Sequence, residues 1–371
     1  MKAVAIHGLL ALFALLFAYQ TWTRKDDAEP PPGEISMVEC DQSAFASFTL
    51  ESDTKKIVVR PKKPNGSGRY WFTLESKKRE EAAGGEQTQN ESGAAEKLEV
   101  EEEGFLANDE FTELLKWLVP FRAVRALGKI SRELAKEFEE QKAKTKMALE
   151  CAGKRHAFEV GSTTYGTGAR YVKNMATNEV FLIPGNVVRD LFSARFKFMQ
   201  KSLHAFELSE VDEARVEAQG KKRVLLQRER HDPRLAQWVD AAQPDRRNEL
   251  FGNWIDQVEK LNAKKYLPVS EQPGSDLDKQ KQIGDIEALL KIDYSQRGRS
   301  LGWMEMVRVN ADEEHYYART ETTDAWVEVT QSAAKLVAQD VGLVVGTEEQ
   351  PKKGDRANTG PGAKGSSSTP K

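Results

Sequence analysis

Two stretches of this chain, 145 residues apart, carry the same pattern, and a chain that repeats itself is expected to build one unit twice. Asn178-Glu179-Val180-Phe181-Leu182 reads like Thr323-Asp324-Ala325-Trp326-Val327. At the same offset Tyr171 falls on Tyr316, Phe158 on Trp303, Gly153 on Gly298 and Leu191 on Leu336. Each copy reads as strand, glycine turn, strand, longer turn, strand, tight turn, strand and helix. The helix is Val187–Ala194 in the first copy and Gln331–Ala338 in the second. Upstream the likeness continues at an offset of 167: Lys55-Lys56-Ile57-Val58-Val59 resembles Lys222-Arg223-Val224-Leu225-Leu226, and Trp71 falls on Trp238. The offsets differ by 22, so the first copy carries about that many extra residues between Trp71 and Phe158.

Those residues are Lys77 to Glu103, rich in Glu, Gly, Gln and Asn and almost free of large apolar side chains. Such a segment buries too little to offset its ordering entropy and is expected to be a disordered acidic insertion. Before it, Phe45–Glu51 and Lys56–Arg60 read as strands, and Pro64–Gly68 turns the chain into a third, Tyr70–Leu74. Helices are expected at Glu110–Leu118 and Asn248–Asn262. In the first, Phe111, Leu114, Leu115 and Leu118 recur on one face; in the second, Phe251, Trp254, Ile255, Val258 and Leu261 do so. Ser131–Lys146 reads as a further, mostly charged helix, and Gly346–Lys371 as a disordered tail. The fold class is therefore α+β: tandem antiparallel sheet and helix repeats, preceded by one transmembrane helix. The expected divisions are a signal-anchor (1–25), the first copy's N-terminal strands (26–76), the insertion (77–103), the rest of the first copy (104–205), the second copy (206–345) and the tail (346–371).

The anchor is the apolar run Ala3–Trp22, flanked by Lys2 and by Arg24-Lys25. About 20 apolar residues at about 1.5 Å each span a bilayer core of about 30 Å. Tyr19 and Trp22 at its end resemble an interfacial aromatic belt, not a small-residue cleavage site. The flanking positive charges nearly balance; a single pass with the folded part outside is the favoured orientation. Pro30–Pro32 then leaves only a short spacer before the first copy, which holds the folded part near the membrane.

The chemistry-bearing residues form no recognised constellation. The histidines His7, His156, His204, His231 and His315 show no ligand spacing, and no Gly-x-Ser-x-Gly elbow occurs. Gly161–Gly168 (Gly-Ser-Thr-Thr-Tyr-Gly-Thr-Gly) invites a phosphate-loop reading, but it lacks the terminal Lys-Ser/Thr and leads through Ala169-Arg170-Tyr171 into a strand. It reads as a glycine turn, with exposed Ser162 and Thr163 hydroxyls as the alternative binding groups. Trp71, Trp238, Trp254, Trp303 and Trp326 read as core packing, with a ligand groove or partner surface as the alternative. Cys40 and Cys151 are either a disulfide or two small buried hydrophobes, each expected in a strand. No catalytic, cofactor-binding or metal site is assigned, and no cofactor is expected. The net charge of −3 leaves no global basic footprint for nucleic acid.

Several segments together resemble a known family. They are the N-terminal membrane helix, Arg69-Tyr70-Trp71-Phe72, a helix ending in Leu-Val-Pro-Phe-Arg-Ala-Val-Arg (Leu118–Arg125), Phe158-Glu159-Val160-Gly161, Gly168-Ala169-Arg170-Tyr171-Val172 and Glu179-Val180-Phe181-Leu182. The chain resembles the domain-of-unknown-function family numbered 4340. The acidic insertion departs from that pattern. The resemblance implies a bacterial inner-membrane protein, single-pass, with a periplasmic domain, encoded beside ABC-type transporters of the gliding-motility kind. It implies a non-catalytic envelope scaffold whose partners are integral membrane transporter subunits. The alternative is a periplasmic protein that holds a glycan or peptide between the two copies.

Overall fold

The computed structural model describes residues 34–62, 68–79, 98–139, 145–229, 237–268, 273, 285–310 and 313–348. The apolar run Ala3–Trp22, residues 64–67 of the expected turn, His231 and most of the C-terminal tail lie outside the described residues. Among the described residues no helix is long and apolar enough to cross a membrane.

The chain divides between Met199 and Gln200 into two compact units. The first contains β1 (Ile35–Val38), β2 (Phe45–Glu51), β3 (Lys55–Pro61), β4 (Tyr70–Arg79), β5 (Leu98–Leu106), helix α1 (Asp109–Leu118), β6 (Phe121–Ala123), β7 (Arg125–Lys129), α2 (Arg132–Glu139), β8 (Thr145–Cys151), β9 (Lys154–Thr163), β10 (Arg170–Asn174), β11 (Glu179–Ile183), α3 (Gly185–Phe192) and α4 (Ala194–Phe198). The second contains β12 (Glu213–Ala218), β13 (Lys221–Arg228), β14 (Gln237–Asp240), α5 (Glu249–Glu259), β15 (Ala263–Tyr266), β16 (Asp285–Gln296), β17 (Arg299–Asn310), β18 (Glu314–Thr320), β19 (Val327–Val329) and α6 (Gln331–Val345). The α+β class holds.

Strand order makes the repeat visible. The first unit's main sheet runs β5-β4-β3-β2-β8-β9-β10-β11-β7, and the second unit's runs β14-β13-β12-β16-β17-β18-β19-β15. Element by element these are one topology, with β5 added at one edge of the first. The glycine turns match too: Ala152-Gly153 and Arg297-Gly298 both place two consecutive residues at positive φ, and Asn178 and Asp324 share a φ of 57°.

The register corrects the pairing of residues between copies. Met147 stands opposite Phe158, and its counterpart Ile292 stands opposite Met304. A β-bulge at Leu301, between the pairs Ser295–Ser300 and Tyr294–Gly302, adds one residue to β17. Gly298 keeps the offset of 145, but beyond the bulge it becomes 146. Phe158 thus corresponds to Met304 and not Trp303, Tyr171 to Tyr317, and Leu191 to Val337. Burial agrees: Phe158, Met304, Leu191 and Val337 are all fully buried, whereas Leu336 is exposed. Upstream, Trp238 stands opposite Gln227 as Tyr70 stands opposite Pro61, so Trp238 takes the place of Tyr70 and not of Trp71.

Helix α1 follows from its sequence. Asn108 caps it by accepting from the Phe111 amide at 3.3 Å, and Phe111, Leu115 and Leu118 form its buried face. The Phe111 ring meets Phe72 edge-on at 4.7 Å, and Phe72 stacks on Phe105 at 5.0 Å. In the second unit Asn248 caps α5, and Trp254 donates its indole N–H to the Val337 carbonyl at 3.0 Å, locking α5 to α6. α5 ends at Glu259, short of the expected Asn262, because the chain enters β15. α6 runs on past Ala338 to Val345, keeping a buried stripe, and Gly346 in the left-handed region closes it.

Three other expectations change. The acidic segment 77–103 is ladder at its two ends, where β4 extends to Arg79, β5 begins at Leu98 and those two residues pair, while its middle, 80–97, lies outside the described residues. Backbone pairing with β4 orders the glutamates of β5 despite their poor burial. Among the described residues the charged helix covers Arg132–Glu139, residues 140–144 lie outside them, and Thr145–Lys146 belongs to β8, where Thr145 is buried. Cys40 lies in the loop after β1, not in a strand, and forms a disulfide with Cys151 at the end of β8, with a Cα–Cα distance of 6.0 Å.

Candidate functional site

The first unit's sheet is covered over β9, β10 and β11 by α2. Phe138 of α2 packs with Tyr171 and Val180, flanked by Leu127, Ile130, Leu134 and Leu182. Two polar clamps hold the helix down: the Tyr171 hydroxyl donates to the Glu137 carboxylate at 2.6 Å, and the Ser162 hydroxyl donates to the Glu137 carbonyl. Gly161 is required beneath it, because a Cβ there would lie 2.7 Å from the Phe138 ring. Ser162 is therefore buried and engaged, not an exposed binding hydroxyl.

Beyond that clamp the β9–β10 loop is tied to itself. The Thr164 amide donates to the Ala169 carbonyl at 2.7 Å, and the Thr164 and Thr167 hydroxyls lie 2.6 Å apart. Gly166 and Gly168 both have positive φ, so the segment is a glycine turn and not a phosphate loop opening a helix. Its far end abuts the start of α3, where Gly185 passes against the Gly168 carbonyl.

Between this loop, the entry to β7 and the start of α3 lies a cleft of about 820 Å³, within the range of small-molecule sites. Its apolar surface includes Val124, Leu182 and Pro184; its polar surface includes Thr163, Thr167 and Asn186. Three arginines also line it, each from a different element: Arg125 of β7, Arg170 of β10 and Arg189 of α3. Among the described residues that line it there is no Asp or Glu. Arg170 is half-buried, its guanidinium donates to the Gly161 carbonyl at 3.3 Å, and burial pushes its pKa down from the usual arginine value. Arg189 is mostly exposed; its Nε lies 3.4 Å from Asp190, whose other oxygen is taken by Lys197 at 2.5 Å.

The second unit has the same elements around the corresponding position, with different charges. Lys335 stands where Arg189 stands, and Lys265 where Arg125 does, since Lys265 pairs with Glu328 as Arg125 pairs with Leu182. There carboxylates are supplied from within: Lys335 reaches Glu314 at 3.5 Å, and Lys264 reaches Glu328 at 2.6 Å. The first unit has Gly168 and Leu182 at the positions of Glu314 and Glu328.

The other flagged residues stay apart. His156 lies in β9 opposite Leu149. His204 Nδ1 lies 3.1 Å from the Glu321 carboxylate, against the rings of Phe206 and Tyr294. His315 stacks on Tyr317, 4.0 Å from Glu328. Among the described residues no group of three or more His, Cys, Asp or Glu is placed to hold a metal ion. Trp238 and Trp254 are core residues. Trp71 is half-buried over Gly104, and Trp303 and Trp326 carry the Arg319 guanidinium over their rings at 5.9 and 4.7 Å. Sequence reasoning missed the cleft arginines because nothing local joins them. Two of them lie in segments of the family pattern: Arg125 ends Leu118–Arg125, Arg170 stands inside Gly168–Val172, and both segments contribute to this cleft.

No curated protein and no solved structure matches the chain. The family described as Domain of unknown function (DUF4340) matches residues 27–280, more than half of the sequence. The chain belongs to that family.

Proposed function

We propose that this protein is a non-catalytic binding accessory of the bacterial envelope, and that its first unit is the part that holds a ligand. The observation that carries this reading is the cleft itself: a ligand-sized concavity formed where two separate segments of the family pattern converge. Apolar surface beside directed polar groups suits capture and orientation of a small molecule. The N-terminal apolar run supports a single-pass inner-membrane anchor with the folded units periplasmic. The short spacer after it would keep the cleft beside an integral membrane partner, an ABC-type transport or gliding-motility-like assembly.

Two measurements test the membrane side of the proposal. A reporter fused after Lys371 is expected to be active only outside the cytoplasm, and purification of the tagged full chain from membranes is expected to bring transporter subunits with it. A cytoplasmic reporter overturns the envelope assignment; a chain that purifies alone under mild detergent overturns the accessory role.

A further inference from the structure

We infer that the rim of this cleft rests on the headgroups of an anionic bilayer, with the Tyr165 ring in the interface and Arg125 beside it. The inference rests on the membrane anchor proposed above and names the surface that the first unit meets. Tyr165 is fully exposed in the β9–β10 loop. That loop is tied across its neck by the hydrogen bond from the Thr164 amide to the Ala169 carbonyl, and its base abuts Gly185. The ring is therefore held out on a braced support. Six residues, 164–169, join β9 to β10, whereas three, 311–313, join β17 to β18. The shared topology closes without the extension, and its one aromatic side chain adds nothing to the core.

Exposed apolar side chains continue beside it. Val124, which lines the cleft with Thr163 and Thr167, is 47% exposed. Ile35, 40% exposed, pairs with Ala123, the residue before Val124. Arg125 follows and is exposed. A bilayer interface favours this combination, taking amphipathic rings at headgroup level and arginine against lipid phosphates. Arg170 and Arg189 have no part in the inference, since Arg170 is engaged inside the cleft and Arg189 lies against Asp190. The chain also enters the fold here. β1 follows directly on Glu34, whose carboxylate meets Arg122 at 3.2 Å, and it pairs with β6 just before Val124. Trp22, the end of the apolar run, is 12 residues from Glu34, a reach of at most about 40 Å when fully extended. Along the chain, the rim that holds Ile35 is the part of the first unit nearest the bilayer.

The test is the fluorescence of an environment-sensitive dye on the full chain, reconstituted in vesicles of phosphatidylcholine alone or mixed with phosphatidylglycerol. The dye is attached at Tyr165→Cys and, as a control, at Ala176→Cys in the exposed β10–β11 turn, at the other end of β10; the native cysteines are bonded to each other. In mixed vesicles the label at 165 is expected to emit further to the blue and to resist quenching by acrylamide, while the label at 176 stays open to it. Salt should weaken the protection, and Arg125→Gln should lower its equilibrium constant about fivefold, the worth of one arginine near such a surface. Equal quenching of both labels, in a chain that floats with the vesicles, overturns the inference and leaves the anchor standing. Equal protection in phosphatidylcholine alone overturns it too, because the arginine then has no role. Protection found in native membranes but not in vesicles of lipid and this chain assigns the rim to a protein partner and overturns the lipid contact. A chain that does not float with the vesicles overturns the anchor as well.

Discussion

The carbonyl oxygen of Gly168 lies 1.9 Å from the point where Gly185 would carry a Cβ. This contact joins the β9–β10 loop to the first residue of α3 and forms one wall of the arginine-lined cleft. The obstruction is backbone, so no side chain can rotate away to relieve it. Gly185→Ala is therefore expected to destabilise the first unit by about 1–3 kcal/mol, the usual cost of overpacking, and to shift the loop that carries Thr167. Urea unfolding followed by near-ultraviolet circular dichroism checks this. A change within about 0.5 kcal/mol of zero, the range of ordinary surface substitutions, would show that the loop is free to retreat.

Cys40 and Cys151 are 111 residues apart in sequence, and their bond ties the loop after β1 to the end of β8. Closing so long a loop restricts the unfolded chain far more than the folded one. Cys40→Ser/Cys151→Ser is expected to cost about 2–4 kcal/mol. A reducing agent should shift the unfolding midpoint of the native chain by a similar amount and leave the double variant unmoved. A mobility difference between reduced and unreduced protein isolated from cells would also report an oxidising compartment.

The parts legible in the sequence were those encoded by local periodicity. Phe111, Leu115 and Leu118 mark the buried face of α1 without help from tertiary structure, and Gly153 and Gly298 mark equivalent turns because only a positive φ reverses the chain there. Strand order was not legible, because alternation says that a strand has two faces and not which neighbour it meets. Leu301 shows how a register goes wrong: one bulged residue inside an alternating strand leaves the pattern almost intact, yet moves the counterpart of Phe158 from Trp303 to Met304. Gly185 gave no signal, since its φ is ordinary and only the approach of Gly168 requires it. Arg125, Arg170 and Arg189 look like surface charges until β7, β10 and α3 are placed side by side.

Arg79 and Leu98 are paired at the end of the β4–β5 ladder. Replacing residues 80–97 by a two-residue Asn-Gly turn should therefore close the hairpin without disturbing its pairing. Thermal unfolding is expected within about 2 °C of the native chain, the shift of roughly 0.5 kcal/mol in a domain of this size. Removing 77–103 instead deletes three residues of β4 and six of β5, and with them six of the nine pairs of that ladder; that variant should unfold many degrees earlier. Equal behaviour of the two deletions would mean that the ladder contributes nothing.

Glu321 in the second unit is placed to make stability depend on acid. Burial by itself pushes its carboxyl pKa up, but the hydrogen bond and charge of His204, with the Trp303 amide at 3.1 Å, outweigh burial and hold it below the ordinary 4.5. A folded-state pKa below the unfolded one favours the ionised form in the folded protein. The contribution is thus fully present above about pH 4.5 and is lost as pH falls through the lower, folded value. Glu321→Gln should cost about 1–2 kcal/mol near neutral pH, the worth of a charge-assisted hydrogen bond partly open to solvent. It should also flatten the acid limb of the second unit's stability curve. His204→Ala removes the donor and should produce the same flattening, whereas His204→Gln, which keeps an N–H in reach, should restore part of the neutral-pH loss. Urea midpoints taken from about pH 3 to 7 measure all three. If Glu321→Gln keeps the native acid slope, the proton uptake belongs to another carboxylate, and the His204–Glu321 pair is a packing contact only.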